Sequence, residues 1–316
     1  MMKKINDIIG DAKTIGIAGH VRPDGDCMGS CMSLYNYLKK NRPDLDVRVF
    51  LEFVDKKFNI IENTDQIITT GYNGTKFDLF ISLDTASLDR LGLNLPFYEN
   101  AKRTACIDHH ASNDGYADYN YILPKASSAS EVLYDLLDED LIDKSIAEPM
   151  YMGIAHDSGV FRFQSTTPKT MRIAANMIEK GVNVNMILEE TFFRKTYNQM
   201  MVTAKIQSEA VLVLDGKCIY GYCTSEMMEE YGVTTKDLDA VVASIRNVDG
   251  VEVAMFLYQL SENSYKVSLR SKNYVDVSKI AVENGGGGHV RAAGAEIHGE
   301  LNDIINKLLN RIKQDI

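Results

Sequence analysis

The sequence predicts a two-domain α/β protein. An N-terminal, doubly wound, mainly parallel sheet is followed by a smaller α/β domain with a mixed sheet. Three observations lead there. Over residues 1–190, short β-prone runs alternate with helical segments, the pattern of parallel sheets. After residue 210, strand-like runs follow one another directly, with Asp215-Gly216 as a two-residue hairpin signal. Acids and imidazoles stand at the ends of successive strand-like runs, where open α/β sheets keep their sites.

Residues 14–19 are apolar and β-prone and read as the first strand, with a helix from Gly29 or Ser30 to about Lys40. Residues 46–52, 78–83 and 104–108 read as the next three strands. Residues 127–140 read as a helix: Ser128 or Ser130 caps it, and Val132, Leu133, Leu136 and Leu137 give the period. Residues 145–156 form a further helix that delivers Asp157. Pro168 opens a helix over 169–180, and Gly181 closes it. Residues 184–210 contain no Gly or Pro, read as mostly helical, and connect the domains. The expected division is 1–190, a connection over 191–210, and 211–316. In the second domain, 211–214 and 217–223 flank the hairpin turn. Residues 235–246 read as helix, 251–259 and 265–270 as strands, and 301–316 as an amphipathic helix.

The chain has 316 residues, 45% apolar and 25% charged, ordinary for a soluble globular protein. Its net charge of −10 argues against coating duplex nucleic acid by phosphate neutralisation. A short nucleotide held locally by Arg, His and metal stays open. Five Cys without a C-x-x-C pair suggest neither a zinc ribbon nor a disulfide framework. Cys27 and Cys31, four apart, read as buried small hydrophobes. The N-terminal lysines have no apolar segment behind them, and no run approaches 18 apolar residues. The expectation is a cytoplasmic protein with reduced thiols and no membrane partner.

The chemistry lies in four places: His20-Val21-Arg22-Pro23-Asp24-Gly25-Asp26, Asp84, Asp108-His109-His110, and Asp157. One strand-end Asp is ordinarily a cap or turn residue, and a lone His is ordinarily a core residue. The set carries the inference, because three of only six His fall in two of these short motifs. Pro23 stiffens the first loop, and Gly25 lets Asp24 and Asp26 diverge, one toward each of two cations. Asp84 is the candidate to bridge both. Imidazole and carboxylate donors without thiolate suit Mn²⁺, and Mg²⁺ or Co²⁺ less specifically. Paired cations clamp a phosphate displacement and acidify water, so no Ser or Cys nucleophile is required. No G-x-G-x-x-G follows the first strand, which disfavours a dinucleotide-cofactor fold. In the second domain, Asn284-Gly285-Gly286-Gly287-Gly288-His289 could bring backbone N–H groups to an anion or sugar, although such a run is ordinarily a turn. Arg270-Ser271-Lys272 ends a strand, and its Arg suits a bidentate grip on phosphate.

In order, His20–Asp26, Asp84 with Arg90, Asp108-His109-His110 and Asp157-Ser158-Gly159-Val160-Phe161 resemble the four motifs of the DHH phosphoesterase superfamily. Gly285–Gly294 resembles the glycine-rich signature of its DHH-associated C-terminal domain. Size and arrangement are most similar to the bacterial nano-RNases, bifunctional oligoribonucleases and 3′-phosphoadenosine-5′-phosphate (pAp) phosphatases. Related members cleave linear dinucleotides. The resemblance implies that His20 and Asp24 bind one metal, Asp26 and His109 the other, with Asp157 completing the second site and Asp84 bridging. It implies that His110 faces the scissile phosphate and that Asp108 orients a ligand imidazole. Arg90, Arg270, Gly286, Gly287, Gly288 and His289 would hold substrate: short single-stranded RNA or DNA or linear dinucleotides such as pApA and pGpG, not duplexes. A second copy of the chain is a partner the sequence allows. Ser158 stands where the family commonly has Thr, and His156 has no role in the pattern. Two rivals remain. A family II-type inorganic pyrophosphatase would carry a Ser-Arg-Lys-Lys-Gln type clamp, which is absent. A non-catalytic nucleotide-binding regulator would have lost a ligand, and every expected ligand is present.

Overall fold

Five short runs become the strands of the first sheet: β1 (Thr14–Ala18), β2 (Asp46–Phe50), β3 (Leu79–Leu83), β4 (Thr104–Asp108) and β5 (Tyr119–Ile122). All are parallel, in the order β2-β1-β3-β4-β5. The computed structural model describes residues 4–238 and 241–316. Both faces of the sheet are covered, which is why all five residues of β3 are buried and, apart from Ser82, apolar. Leu79, Ile81 and Leu83 face a core shared with the helices Gly25–Asn41, Ala129–Leu136 and Lys144–Asp157. Phe80 faces a second core with Phe50, Phe77 and Phe97, where the Phe50 and Phe97 rings lie 4.3 Å apart. β5 is not among the expected strands. It is a half-exposed edge of four residues with a polar Asn120, and only pairing with β4 defines it.

The helix Gly25–Asn41 starts inside the first motif, not at Gly29 or Ser30. Asp24 accepts from the N–H groups of Asp26 (3.0 Å) and Cys27 (3.1 Å), so capping begins the helix there. It crosses Lys144–Asp157 at two glycines. A Cβ on Gly29 would stand 2.4 Å from the Pro149 carbonyl oxygen, and one on Gly153 2.7 Å from Asp26 Oδ1. This close approach brings Asp26, in the first turn of one helix, toward Asp157, the last residue of the other.

Residues 184–210 are not one helix. Val184–Leu188 runs into a π-helical turn, Glu189–Phe193, and a new helix, Tyr197–Glu209, starts on the cap of Thr196. The chain divides into two compact units, one ending at Arg194 and the next beginning at Lys195.

The second sheet comprises β6 (Val211–Val213), β7 (Cys218–Cys223), β8 (Val253–Ser261), β9 (Ser264–Ser271), β10 (Gly287–His289) and β11 (Ala292–His298), in the order β10-β11-β9-β8-β7-β6. Only β7 and β8 pair in parallel, so the sheet is mixed. Leu214 (φ 51°), Asp215 (φ 52°) and Gly216 (φ 79°) are all left-handed in the turn from β6 to β7; the favoured hairpin geometry requires this of the last two. Val267, Leu269, Ala293 and Ala295 face a core with Val277–Val282 and Leu301–Ile312. On the opposite face, β7 and β8 pack on Tyr197–Glu209 and Val241–Ile245. Of the helix expected over 235–246, Thr235–Asp237 is 3-10 and Val241–Ile245 is α; residues 239–240 lie outside the described residues. Among the described residues, no helix is long and apolar enough to cross a membrane.

Candidate metal centre

β2 lies on one side of β1, while β3, β4 and β5 lie on the other. The chain therefore winds both ways from β1 and β3, and the carboxyl ends of strands at such a switch are where ligands bind. β1 leads to His20 and β3 to Asp84. β4 ends in Asp108 and feeds His109 and His110.

Asp84 is central. It is 3% exposed and adopts a left-handed φ of 52°, which Asp tolerates better than most residues. Its Oδ2 lies 3.5 Å from His20 Nε2, and its Oδ1 lies 3.4 Å from His109 Nε2. His109 Nε2 is also 3.1 Å from Asp157 Oδ2, and His20 Nε2 is 3.8 Å from Asp24 Oδ1. Asp26, His109 and Asp157 cluster closely enough to hold one ion. His20 and Asp84 form a second such group, whose third member is Cys27. Cys27 is nonetheless fully buried in the core, as its reading as a small hydrophobe predicts, and burial raises its thiol well above the ordinary range. Starting the helix at Gly25 puts its thiol in the first turn, beside His20 and Asp84.

These donors fit divalent cations. Among the described residues, Asp84 Oδ1 is a buried carboxylate oxygen that accepts no hydrogen bond, an arrangement that calls for a cation. The titration of the cluster agrees. Burial pulls His20 down, yet Cys27, Asp24 and Asp84 push it up to about 12. Burial likewise opposes His109, which Asp157 and Asp84 push up to about 12. Asp26 and Asp157 are raised by burial and by neighbouring carboxylates. The cluster attracts positive charge strongly. His20 Nδ1 lies 2.8 Å from the Val21 carbonyl, which accepts its N–H and leaves Nε2 toward the acids. Arg90 Nη2 is 3.2 Å from the same Nδ1, and the Arg90 carbonyl accepts from Val21 N. Arg90 therefore meets the rear of His20.

Asp26 is fully buried. Its two oxygens accept from Ala129 N (2.5 Å) and Ser130 N (3.0 Å), the amino end of Ala129–Leu136. Asp108 Oδ1 accepts from His110 Nδ1 and from His109 N, both at 2.8 Å. The imidazole that Asp108 orients is thus His110, not one of the imidazoles expected to ligate metal; the turn after β4 aims the second ring back at the carboxylate. Asp108 Oδ2 accepts from Asn113 Nδ2 at 2.7 Å, and Asn113 also donates to the Thr85 carbonyl. Tyr116 Oη bonds the same carbonyl at 2.9 Å. Asn113 and Tyr116 escaped the sequence reading, and the turn from His110 to Asn113 was the one available signal. His156 bonds Thr191 Oγ1 through Nε2 at 2.9 Å, and burial beside Lys57 lowers it to about 4.

In the second unit, Arg270 pairs with Ala292, and Ala292 with His289. Residues in register share a sheet face, so Arg270 and His289 flank the small Ala292. The glycines divide by role. A Cβ on Gly286 would stand 2.1 Å from the Gly294 carbonyl oxygen, and one on Gly288 (φ 142°) 2.5 Å from Ala293 Cα. Close packing against β11 therefore explains Gly286 and Gly288 without a ligand. Among the described residues, a Cβ on Gly287 meets nothing within 4 Å.

The DHH family, N-terminal domain, matches residues 14–154, and the DHHA1 domain matches residues 215–315. The chain is similar to the bifunctional oligoribonuclease and PAP phosphatase of Thermus thermophilus, 31% identical over 96% of this chain and 90% of that protein. It is also similar to the bifunctional oligoribonuclease and PAP phosphatase of Bacillus subtilis, 27% identical over 90% of each. A solved structure, an exopolyphosphatase-related protein from Bacteroides fragilis, shares the fold with a TM-score of 0.89, at 23% identity over 98% of this chain and 95% of that one.

Proposed function

The chain belongs to the DHH phosphoesterase family and is a metal-dependent hydrolase of phosphodiester bonds, and from that premise we propose that it cuts short single-stranded oligonucleotides and linear dinucleotides to mononucleotides. The same site takes pAp to AMP. The observation that carries the reading is Asp84, with one oxygen toward His20 and the other toward His109. The names of relatives matched over both units support the substrate class.

In this reading His20 and Asp24 would hold one cation, and Asp26, His109 and Asp157 the other. Asp84 would serve both, and Mn²⁺ would suit these donors best. When bound, such cations neutralise a phosphoryl group and acidify water. His110 is the proton-bearing side chain. Burial lowers its affinity for a proton, but Asp108 and Asp84 raise it above the usual histidine range. Asp108 accepts its Nδ1–H, so Nε2 turns to the substrate and donates to a phosphoryl oxygen. Asn113 fixes Asp108 from the other side. Arg90, which touches His20, meets a second phosphoryl oxygen. Arg270, His289 and the backbone of Gly287 grip the nucleotide end.

The test is Mn²⁺-supported hydrolysis of labelled pApA, pGpG, five-nucleotide RNA, pAp and a cyclic dinucleotide, side by side with duplex RNA and pyrophosphate. Turnover of the short linear substrates and pAp is expected. Hydrolysis of pyrophosphate alone would overturn the reading.

A further inference from the structure

His156 precedes Asp157, but its ring lies over Gly25, the residue between Asp24 and Asp26. A Cβ on Gly25 would stand 2.1 Å from His156 Cγ and 2.3 Å from Nδ1, so the ring fills the space of a side chain there. On its far edge, Nε2 is 2.9 Å from Thr191 Oγ1. Thr191 donates its own hydroxyl hydrogen to the Ile187 carbonyl at 2.7 Å, so its oxygen accepts from His156 Nε2–H. Phe58 and Phe192 wall the ring at 5.9 and 5.3 Å between centroids. Thr191 is 3% exposed. It belongs to the π-turn Glu189–Phe193, the last turn before the first unit ends at Arg194. Such turns insert an extra residue into a helix and recur at functional sites.

We propose that His156 is a positioning residue that clamps the Asp24-Gly25-Asp26 loop, and that the π-turn Glu189–Phe193 holds the clamp closed through Thr191. This rests on the reading of Asp24 and Asp26 as metal ligands. The two carboxylates diverge about Gly25, a residue with no side chain to fix it. The His156 ring supplies the missing wall, and the hydrogen bond to Thr191 fixes the ring. His156 belongs to none of the groups that could hold an ion; it acts by preorganising the loop. Groups that orient metal ligands from outside typically contribute about 10- to 100-fold in metal affinity.

The test uses the full chain. Thr191→Val keeps the shape and deletes the acceptor, Thr191→Ser keeps the hydroxyl, and His156→Gln removes the ring. Mn²⁺ affinity is measured by calorimetry, and the melting temperature on chelator-treated protein. Thr191→Val and His156→Gln should weaken Mn²⁺ binding about 10- to 100-fold. Thr191→Ser should bind as wild type, and the metal-free melting temperature of Thr191→Val should stay near wild type. At saturating Mn²⁺, kcat of Thr191→Val on pApA should return toward wild type. Unchanged Mn²⁺ affinity in Thr191→Val would overturn the proposal, whatever happens to melting. Should His156→Gln fail to fold, Thr191→Val and Thr191→Ser still decide. A wild-type protein that binds no Mn²⁺ sinks the metal reading itself, a different result from variants that bind as wild type does.

Discussion

Asp84 occupies a backbone conformation that favours Gly, Asn and Asp, so Asp84→Asn changes charge and leaves the turn intact. One proposed site then loses its ligand oxygen to an amide nitrogen, and the other keeps only an uncharged amide oxygen. Bound metal should fall, and turnover should drop by at least about 100-fold, the upper end for the loss of a supporting group. Metal content and rate should be measured on the same samples. An enzyme fully active after exhaustive chelation would refute the account. Asn113→Ala is a subtler probe. It strips a buried oxygen of Asp108 of its donor, a change worth about 1–3 kcal/mol, and loosens His110. A 10- to 100-fold fall in kcat with little change in KM is expected. The imidazoles stood out in the sequence because the chain has only six His, and the acids because they accompany them in short motifs. Asn113 and Tyr116 were not, because their partner Thr85 is 28 and 31 residues away and only the folded sheet joins them.

At the scale of elements, the strong periodicities and the edge strand beside the Asp215-Gly216 turn were legible, and β5, β10 and β11 were not. β1, β3 and β4 are mainly apolar and β2 alternates charged and apolar residues; β5, β10 and β11 depend on their partners, and the glycines of β10 carry no strand propensity. The same glycines give a contrast. Gly286→Ala places a methyl on a backbone oxygen and should cost about 1–3 kcal/mol. Gly287→Ala should stay within about 0.5 kcal/mol of wild type in urea unfolding, while raising KM for pApA if its backbone meets substrate. Glu252, 3% exposed, organises the turn after β9 by accepting from Asn273 N, Tyr274 N and Val275 N. Burial pushes its carboxyl up, but these bonds win and hold it below the ordinary value. A depressed folded value means the stabilisation is present above the unfolded value of about 4.3 and is lost as pH falls through the folded one. Glu252→Gln should therefore destabilise at pH 7 by about 1.5–3 kcal/mol and flatten the loss of stability on acidification. Urea unfolding at pH 7 and below pH 4 compares the two slopes.

For the whole molecule, the proposed chemistry draws on residues of the first unit and the proposed grip on residues of the second. Net charge is −10, so long nucleic acid gains little from the surface at large, and affinity must come from a few local contacts. Products from oligomers of two to thirty nucleotides should show rates falling with length; equal rates at every length, or early cuts in the middle of long RNA, would contradict this. The division of labour needs a test that separates grip from chemistry, because remote binding energy can position the scissile phosphate and so change kcat as well as KM. Two substrates achieve it. Bis(p-nitrophenyl) phosphate carries a scissile phosphodiester without a nucleotide end, whereas pApA carries both. Arg270→Ala removes a charge-assisted contact typically worth about 1.5–3 kcal/mol, or roughly 10- to 150-fold, and His289→Ala removes its neighbour across Ala292. Both variants should lose that factor on pApA and hydrolyse bis(p-nitrophenyl) phosphate nearly as wild type does. Asp24→Ala, Asp26→Ala and His109→Ala should fail on both substrates. Equal losses on both substrates from Arg270→Ala and His289→Ala would mean that these residues serve folding or catalysis, and the second unit would need another role.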